Sequence, residues 1–148
     1  MIKTGDLYLS NYHSTADIIV NQGGTSSGKT YAILQVLFSK AIAETCTITV
    51  VGQDIPNLKV GALRDALDII NADEAILQQL VFYNRSERVL SFRNGSIIEF
   101  NSYDNEQDAK SGKRDYLFVN EANGIPYNVF EQLSLRTRQK VFIDYNPD

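Results

Sequence analysis

The 148 residues are 43% apolar and 22% charged, with 14 Lys and Arg against 18 Asp and Glu for a net charge of −4. A chain of this size buries roughly 70% of the surface its unfolded form exposes, so one ordinary domain needs neither a disulfide framework nor a metal staple. A single cysteine, Cys46, and a single histidine, His13, exclude zinc clusters, CxxC pairs and conventional Ser-His-Asp or Cys-His sites unless His13 serves alone. No run approaches the about 18 uninterrupted apolar residues of a membrane helix, and residues 1–10 lack a basic leader followed by an apolar core. The expectation is a soluble, intracellular chain with no membrane partner. Acidic balance argues against indiscriminate nucleic-acid binding, although nine of the 14 cations follow residue 84 and leave a local basic patch open.

No repeat, low-complexity run or linker divides the chain, so residues 1–148 are read as one domain. Residues 17–22 (DIIVNQ) form a short β-branched run, followed by a glycine-rich turn and a helical pattern over 29–44, where Ile33, Leu34, Leu37, Phe38 and Ala41 recur at helical spacing. Residues 47–51 (TITVV) read as a second buried strand, and Asp54, Pro56 and Asn57 punctuate the turn into a helix over 58–70. A further helix is expected over 72–80. Residues 80–83, 89–92 and 97–100 then read as short strands, with Asn94-Gly95 between the last two predicting a tight hairpin in which both residues tolerate positive φ. Residues 108–115 look polar and flexible, 116–119 (YLFV) form a buried strand, 127–135 a helix and 141–143 a last strand. Continuous apolar strands separated by helices predict an α/β fold, a mostly parallel sheet covered on both faces, with an antiparallel hairpin insertion.

The sharpest motif is Gly23-Gly24-Thr25-Ser26-Ser27-Gly28-Lys29-Thr30, a full match to G-x-x-x-x-G-K-[ST] between a strand and a helix. Glycines let backbone N–H groups surround phosphate oxygens, and the following helix adds the positive end of its dipole. Lys29 would then reach the β and γ phosphates of a bound nucleotide, while Thr30 places its hydroxyl on Mg²⁺. At the end of the 116–119 strand stand Asn120 and Glu121. Glu121 suits a general base that polarises an attacking water; the alternative is a carboxylate merely stabilised at a helix N-terminus. Asn120 can hydrogen-bond a metal-bound water but brings no charge. Asp144-Tyr145-Asn146-Pro147 follows the last strand, where a polar residue at a strand's carboxyl end points into the ligand crevice, so Asn146 is a candidate sensor of the γ-phosphate or lytic water; Asn-Pro is also an ordinary turn. Transition-state charge calls for an arginine, for which Arg64, Arg114, Arg136 and Arg138 are candidates, each also readable as a solvated surface residue. Tyr8 and Tyr12 suit adenine stacking or core packing.

In order and spacing these residues resemble the ATPase domain of phage large terminases, the DNA-packaging motor proteins. The resemblance includes the 23–30 loop, the Asn94-Gly95-Ser96-Ile97-Ile98-Glu99-Phe100 hairpin, Lys110-Ser111-Gly112, Phe118-Val119-Asn120-Glu121-Ala122, Arg136-Thr137-Arg138 and Asp144-Tyr145-Asn146-Pro147. It implies a P-loop NTPase domain of the RecA-like (ASCE) type that binds MgATP through Lys29 and Thr30, uses Glu121 as catalytic carboxylate and couples hydrolysis to movement through Asn146. It further implies double-stranded DNA, a portal protein and a small terminase subunit as partners, a homo-oligomeric ring, and action in the host cytoplasm and transiently at the procapsid portal. Two departures stand out. Thr25 occupies a position where terminases commonly carry an arginine, which shifts the expectation to an arginine supplied by a neighbour, and Asn120 replaces the usual aspartate.

Family members continue into a C-terminal nuclease with clustered carboxylates, whereas this sequence ends two residues after Asn146. The expectation is therefore a truncated ATPase domain without nuclease activity, short of one parallel strand: a fragment, a split gene product or a domain completed by a partner. Hydrolysis by the isolated domain should be slow. The rival readings are a non-catalytic nucleotide-binding fragment, a helicase-like DNA-stimulated P-loop ATPase and a pure assembly protein.

Overall fold

The computed structural model describes residues 17–22 and 27–145. Seven strands form one sheet in the order β1-β7-β6-β2-β5-β4-β3. They are β1 (Asp17–Gln22), β2 (Thr47–Val51), β3 (Leu80–Asn84), β4 (Val89–Phe92), β5 (Ile97–Asn101), β6 (Arg114–Val119) and β7 (Thr137–Tyr145). The first five positions in that order are parallel, and β4 and β3 continue the sheet antiparallel. The hairpin is thus no excursion from the core, because its second strand, β5, is itself a parallel neighbour of β2.

Strand parity divides the interior into two cores. On one face Ile48, Val50, Phe118 and Phe142 meet α1 (Ser27–Ala43), α2 (Ile55–Val60), α3 (Ala62–Ala72) and α4 (Glu74–Gln79). On the other, Val51, Leu117, Val119, Val141 and Ile143 meet α5 (Glu106–Ala109) and α6 (Tyr127–Leu135). Leu34, Leu37, Phe38 and Ala41 of α1 are wholly buried, and each large side chain among them contributes about 1.5–3 kcal/mol. A strand buried on both faces needs apolar residues at consecutive positions, as in Val50-Val51 of β2 and Tyr116 to Val119 of β6.

Four sequence expectations change. The helix expected over 58–70 is two helices, because Gly61 leaves helical geometry at φ −115°, ψ −103°; α2 starts earlier, with the Asp54 carboxylate accepting from Asn57 N at 2.8 Å. The stretch expected to be loop over 108–115 instead holds the end of α5, whose cap Asn105 accepts from Asp108 N, and the start of β6. The last strand is nine residues long rather than three. In the hairpin only Gly95 has positive φ, at 93°; Gly95 N donates to Phe92 O and Phe92 N to Ser96 O, a three-residue turn with the glycine in the left-handed position. Asn94 has another task. Its amide donates to Ala41 O at 2.8 Å, and the buried Ser96 hydroxyl lies 2.7 Å from Ala41 O, so the turn satisfies carbonyls that the end of α1 leaves without helical partners.

Candidate functional site

Because α1 starts at Ser27, Gly28, Lys29 and Thr30 fall in its first turn, where backbone N–H groups lack intrahelical acceptors and the dipole favours anions. This turn faces the carboxyl ends of β6 and β7. Val119 is registered opposite Ile143, so the next residues, Asn120 and Asp144, stand side by side. Parity puts both on the face of Phe118 and Phe142, which is the face α1 covers. Three segments far apart in sequence therefore converge. Thr30 Oγ1 donates to Asp144 Oδ2 at 2.8 Å. The Asn120 amide lies 3.1 and 3.2 Å from the two Asp144 oxygens and 3.2 Å from Thr30 Oγ1, and Glu121 N donates to Asp144 Oδ1 at 2.6 Å. A carboxylate only accepts, so it is the nitrogen of Asn120 that faces it.

Asp144 is 4% and Asn120 7% exposed. Among the described residues, the Asp144 charge is met by neutral donors: Thr30, Asn120 and the Glu121 N–H. The ion pairs among the described residues, Lys110–Glu106 and Arg138–Asp115, lie elsewhere. A hydroxyl has one proton and two lone pairs; Thr30 gives its proton to Asp144 and one lone pair to Asn120, which leaves one lone pair for a cation. A buried carboxylate without a cation and a hydroxyl with spare acceptor capacity fit a divalent cation carrying its own waters.

Glu121 is exposed and holds φ 54°, ψ 60°, a left-handed conformation that costs a non-glycine residue about 1–2 kcal/mol. It precedes a short 3₁₀ turn (Ala122–Gly124) and makes no side-chain capping hydrogen bond to it. The Asp144 bond to its backbone N–H fixes the bend that turns this carboxylate off the strand.

The four arginines are dispersed. Arg114 is 3% exposed and no surface residue: Nε donates to Thr49 Oγ1 at 2.9 Å and Nη1 to Leu133 O at 3.2 Å. Burial depresses its guanidinium pKa, opposed by Tyr103 and Glu99, and burial likewise raises the Tyr103 hydroxyl. Arg114, Arg136 and Arg138 belong to the starts of β6 and β7; at about 3.3 Å per residue, positions 138 and 144 are about 20 Å apart, beyond reach of the strand-end cluster. Arg136 bonds Gln132 Oε1 at 2.9 Å, and Arg138 is exposed in its pair with Asp115. Arg64, exposed on α3, lines a cavity of about 530 Å³ that includes Lys59, Tyr83 and Arg85 and shares no residue with the cluster.

Of the residues singled out in the sequence, Thr30, Asn120 and Glu121 are brought together, and Lys29 is half-buried in the same helical turn. Gly23, Gly24, Thr25, Ser26, Asn146, Tyr8, Tyr12 and His13 lie outside the described residues, and Ser27 is described by its backbone. Asp144 had no role assigned to it from sequence. Its signal was present, an acid one residue past an apolar strand, but only the register puts it beside Asn120. Among the described residues no helix is long and apolar enough to cross a membrane.

A mostly parallel sheet in which the first turn of a helix, preceded in sequence by a glycine-rich stretch, meets polar residues on adjacent strand ends is the architecture of P-loop NTPases. The large terminase of the thermophilic bacteriophage D6E is similar over 99% of this chain and 39% of its own, with 16% identity and a TM-score of 0.67, and the same protein has been solved with ADP and with ATP-γ-S. The HK97 large terminase matches 98% of this chain and 33% of its own at 10% identity and TM-score 0.68. The large terminase ATPase domain of Thermus phage P74-26 matches 97% of this chain and 64% of its own at 15% identity and TM-score 0.62. No curated protein matches the sequence. Residues 15–148 match the phage terminase large subunit family, and the chain belongs to it. It spans about two-fifths of the D6E protein's length.

Proposed function

We propose that this chain binds and hydrolyses ATP as the motor domain of a phage packaging enzyme that drives double-stranded DNA into a procapsid. The observation that carries the reading is the meeting of the first turn of α1 with the ends of β6 and β7, through Thr30, Asn120, Glu121 and Asp144. In this reading the backbone of Gly23, Gly24, Thr25, Ser26, Ser27 and Gly28 surrounds the phosphates, and the Lys29 ammonium offsets charge on the β and γ oxygens. Thr30 would direct its free lone pair to Mg²⁺ while its O–H points at Asp144. Asn120 hydrogen-bonds a metal-bound water. When bound, Mg²⁺ neutralises charge that develops on the phosphate oxygens. Glu121 accepts a proton from the attacking water, and Asn146 senses the terminal phosphate and couples its loss to movement.

The fold likeness to terminases, one of them solved with ADP and with ATP-γ-S, supports nucleotide binding. Family membership supports the wider assignment: a ring of subunits docked on a portal protein, a small terminase subunit that selects the DNA, and action in the host cytoplasm. The distance of Arg136 and Arg138 from the strand-end cluster supports an arginine supplied by a neighbouring subunit, with slow turnover by a monomer. ATP turnover with and without Lys29→Ala tests the reading: a large loss is expected, and equal rates overturn the catalytic assignment. The uncharged Asn120 favours one rival, a nucleotide-binding fragment without turnover, for which calorimetry would register ATP binding and no phosphate release at any protein concentration.

A further inference from the structure

We propose that Asp144, at the end of β7, and not Asn120, at the end of β6, is the acidic residue that holds the hydrated Mg²⁺ of the nucleotide complex. This rests on the nucleotide-site reading above. Asn120 cannot supply the charge. One strand away, about 4.8 Å across the sheet, Asp144 occupies the equivalent position on the same face. It is buried, its charge is met by no cation among the described residues, and it accepts the Thr30 proton at 2.8 Å. That last bond is what metal ligation by Thr30 requires: an oxygen lending a lone pair to a cation must send its proton elsewhere, and Asp144 receives it. Asn120 becomes a positioning residue. Its amide spans both Asp144 oxygens and Thr30 Oγ1, holding the carboxylate toward the first turn of α1. Exchanging Asp and Asn between adjacent strand ends conserves one carboxylate, one carboxamide and one hydroxyl in the cluster.

The test measures ATP-γ-S affinity of the whole chain by calorimetry in Mg²⁺ and in EDTA, and compares the gain due to the metal. Asp144→Asn should cut that gain tenfold or more while leaving affinity in EDTA within about threefold. The exchanged double variant Asn120→Asp with Asp144→Asn should recover most of the gain. An undiminished gain in Asp144→Asn overturns the proposal, as does a folded exchanged double variant whose gain is no larger than that of Asp144→Asn alone. Absence of ATP-γ-S affinity in the unaltered chain, with and without Mg²⁺, overturns the nucleotide reading itself.

Discussion

Arg114 and Arg138 are close in sequence character and opposite in energetic standing, and replacing each by alanine separates structural from available arginines. Arg114 gives two hydrogen bonds to neutral oxygens in the interior, and bonds from a charged donor contribute about 1.5–3 kcal/mol each. Part of that sum offsets the desolvation of the guanidinium, which is recovered when the side chain is deleted. The Leu133 carbonyl keeps Thr137 Oγ1 at 2.8 Å, and Thr49 keeps Glu99 at 2.9 Å, so neither acceptor is orphaned. The net expectation for Arg114→Ala is a loss of about 3 kcal/mol, a large share of the 5–15 kcal/mol that holds a domain together. With a urea dependence of about 2 kcal/mol per molar the midpoint falls by about 1.5 M. Arg138 has 65% of its side chain exposed and sits 3.7 Å from Asp115, so Arg138→Ala costs under about 1 kcal/mol and less in salt. Urea titrations followed by far-UV circular dichroism, without nucleotide, measure both. An Arg114→Ala midpoint equal to that of the parent, or a larger loss from Arg138→Ala, refutes the assignment of Arg114 to the interior and reopens its candidacy as a catalytic arginine.

Glu121→Gln should lower ATP turnover by about 10²–10⁴-fold with ATP affinity retained, whereas Glu121→Asn should lose turnover and also raise the melting temperature, because asparagine tolerates the left-handed backbone better; calorimetry and phosphate release measure the two. Gly52→Ala puts a methyl 2.6 Å from Leu58 Cγ, and Leu58, 1% exposed within α2, has little room to yield. A loss of about 1–3 kcal/mol is expected, read as a melting temperature lower by about 3–10 °C. Burial raises the Cys46 thiol pKa, with the Ser96 hydrogen bond opposing. The folded value exceeds the unfolded one, near 8.5, so the stability attached to the protonated thiol is complete below about pH 8.5 and is lost as pH rises through the folded pKa. The stability difference between the parent and Cys46→Ala should shrink over that range in urea titrations at successive pH values, and a pH-independent difference rules the linkage out.

The parallel half of the fold is legible because its signals are local and strong. Val50-Val51 of β2 and Tyr116 to Val119 of β6 are continuous apolar runs, and α1 shows unbroken helical spacing of large side chains. Where the sequence reading failed, a second requirement had overridden a local one. Gly61 breaks a helix that the apolar spacing of 58–70 joins, and each half then buries its own stripe, Leu58 in α2 and Leu63, Ala66, Ile69 and Ile70 in α3. The polar residues at the start of β6 looked like loop because Arg114 and Asp115 rarely enter a sheet; here Arg114 is satisfied by Thr49 and Leu133, and Asp115 accepts from Thr47 N at 2.9 Å. Asn94 fits a turn for a reason that concerns α1, 50 residues earlier, and no window around the hairpin contains that partner.

The site was half legible for a similar reason. The 23–30 motif and Glu121 draw attention by local pattern alone, a glycine-rich stretch before a helix and a carboxylate after an apolar run. Asn120 read alone is a missing charge. The charge is present 24 positions later on the neighbouring strand, and the two residues exchange roles only because β6 and β7 run parallel with Val119 opposite Ile143. A shift of one residue in that register would turn Asp144 to the opposite face, into the apolar contacts of Val141 and Ile143 with α6, where a carboxylate has no donors. The pairing therefore carries the electrostatics of the site: burying Asp144 is tolerable only where Thr30, Asn120 and the Glu121 amide converge on it, and that convergence ties the first turn of α1 to both strand ends.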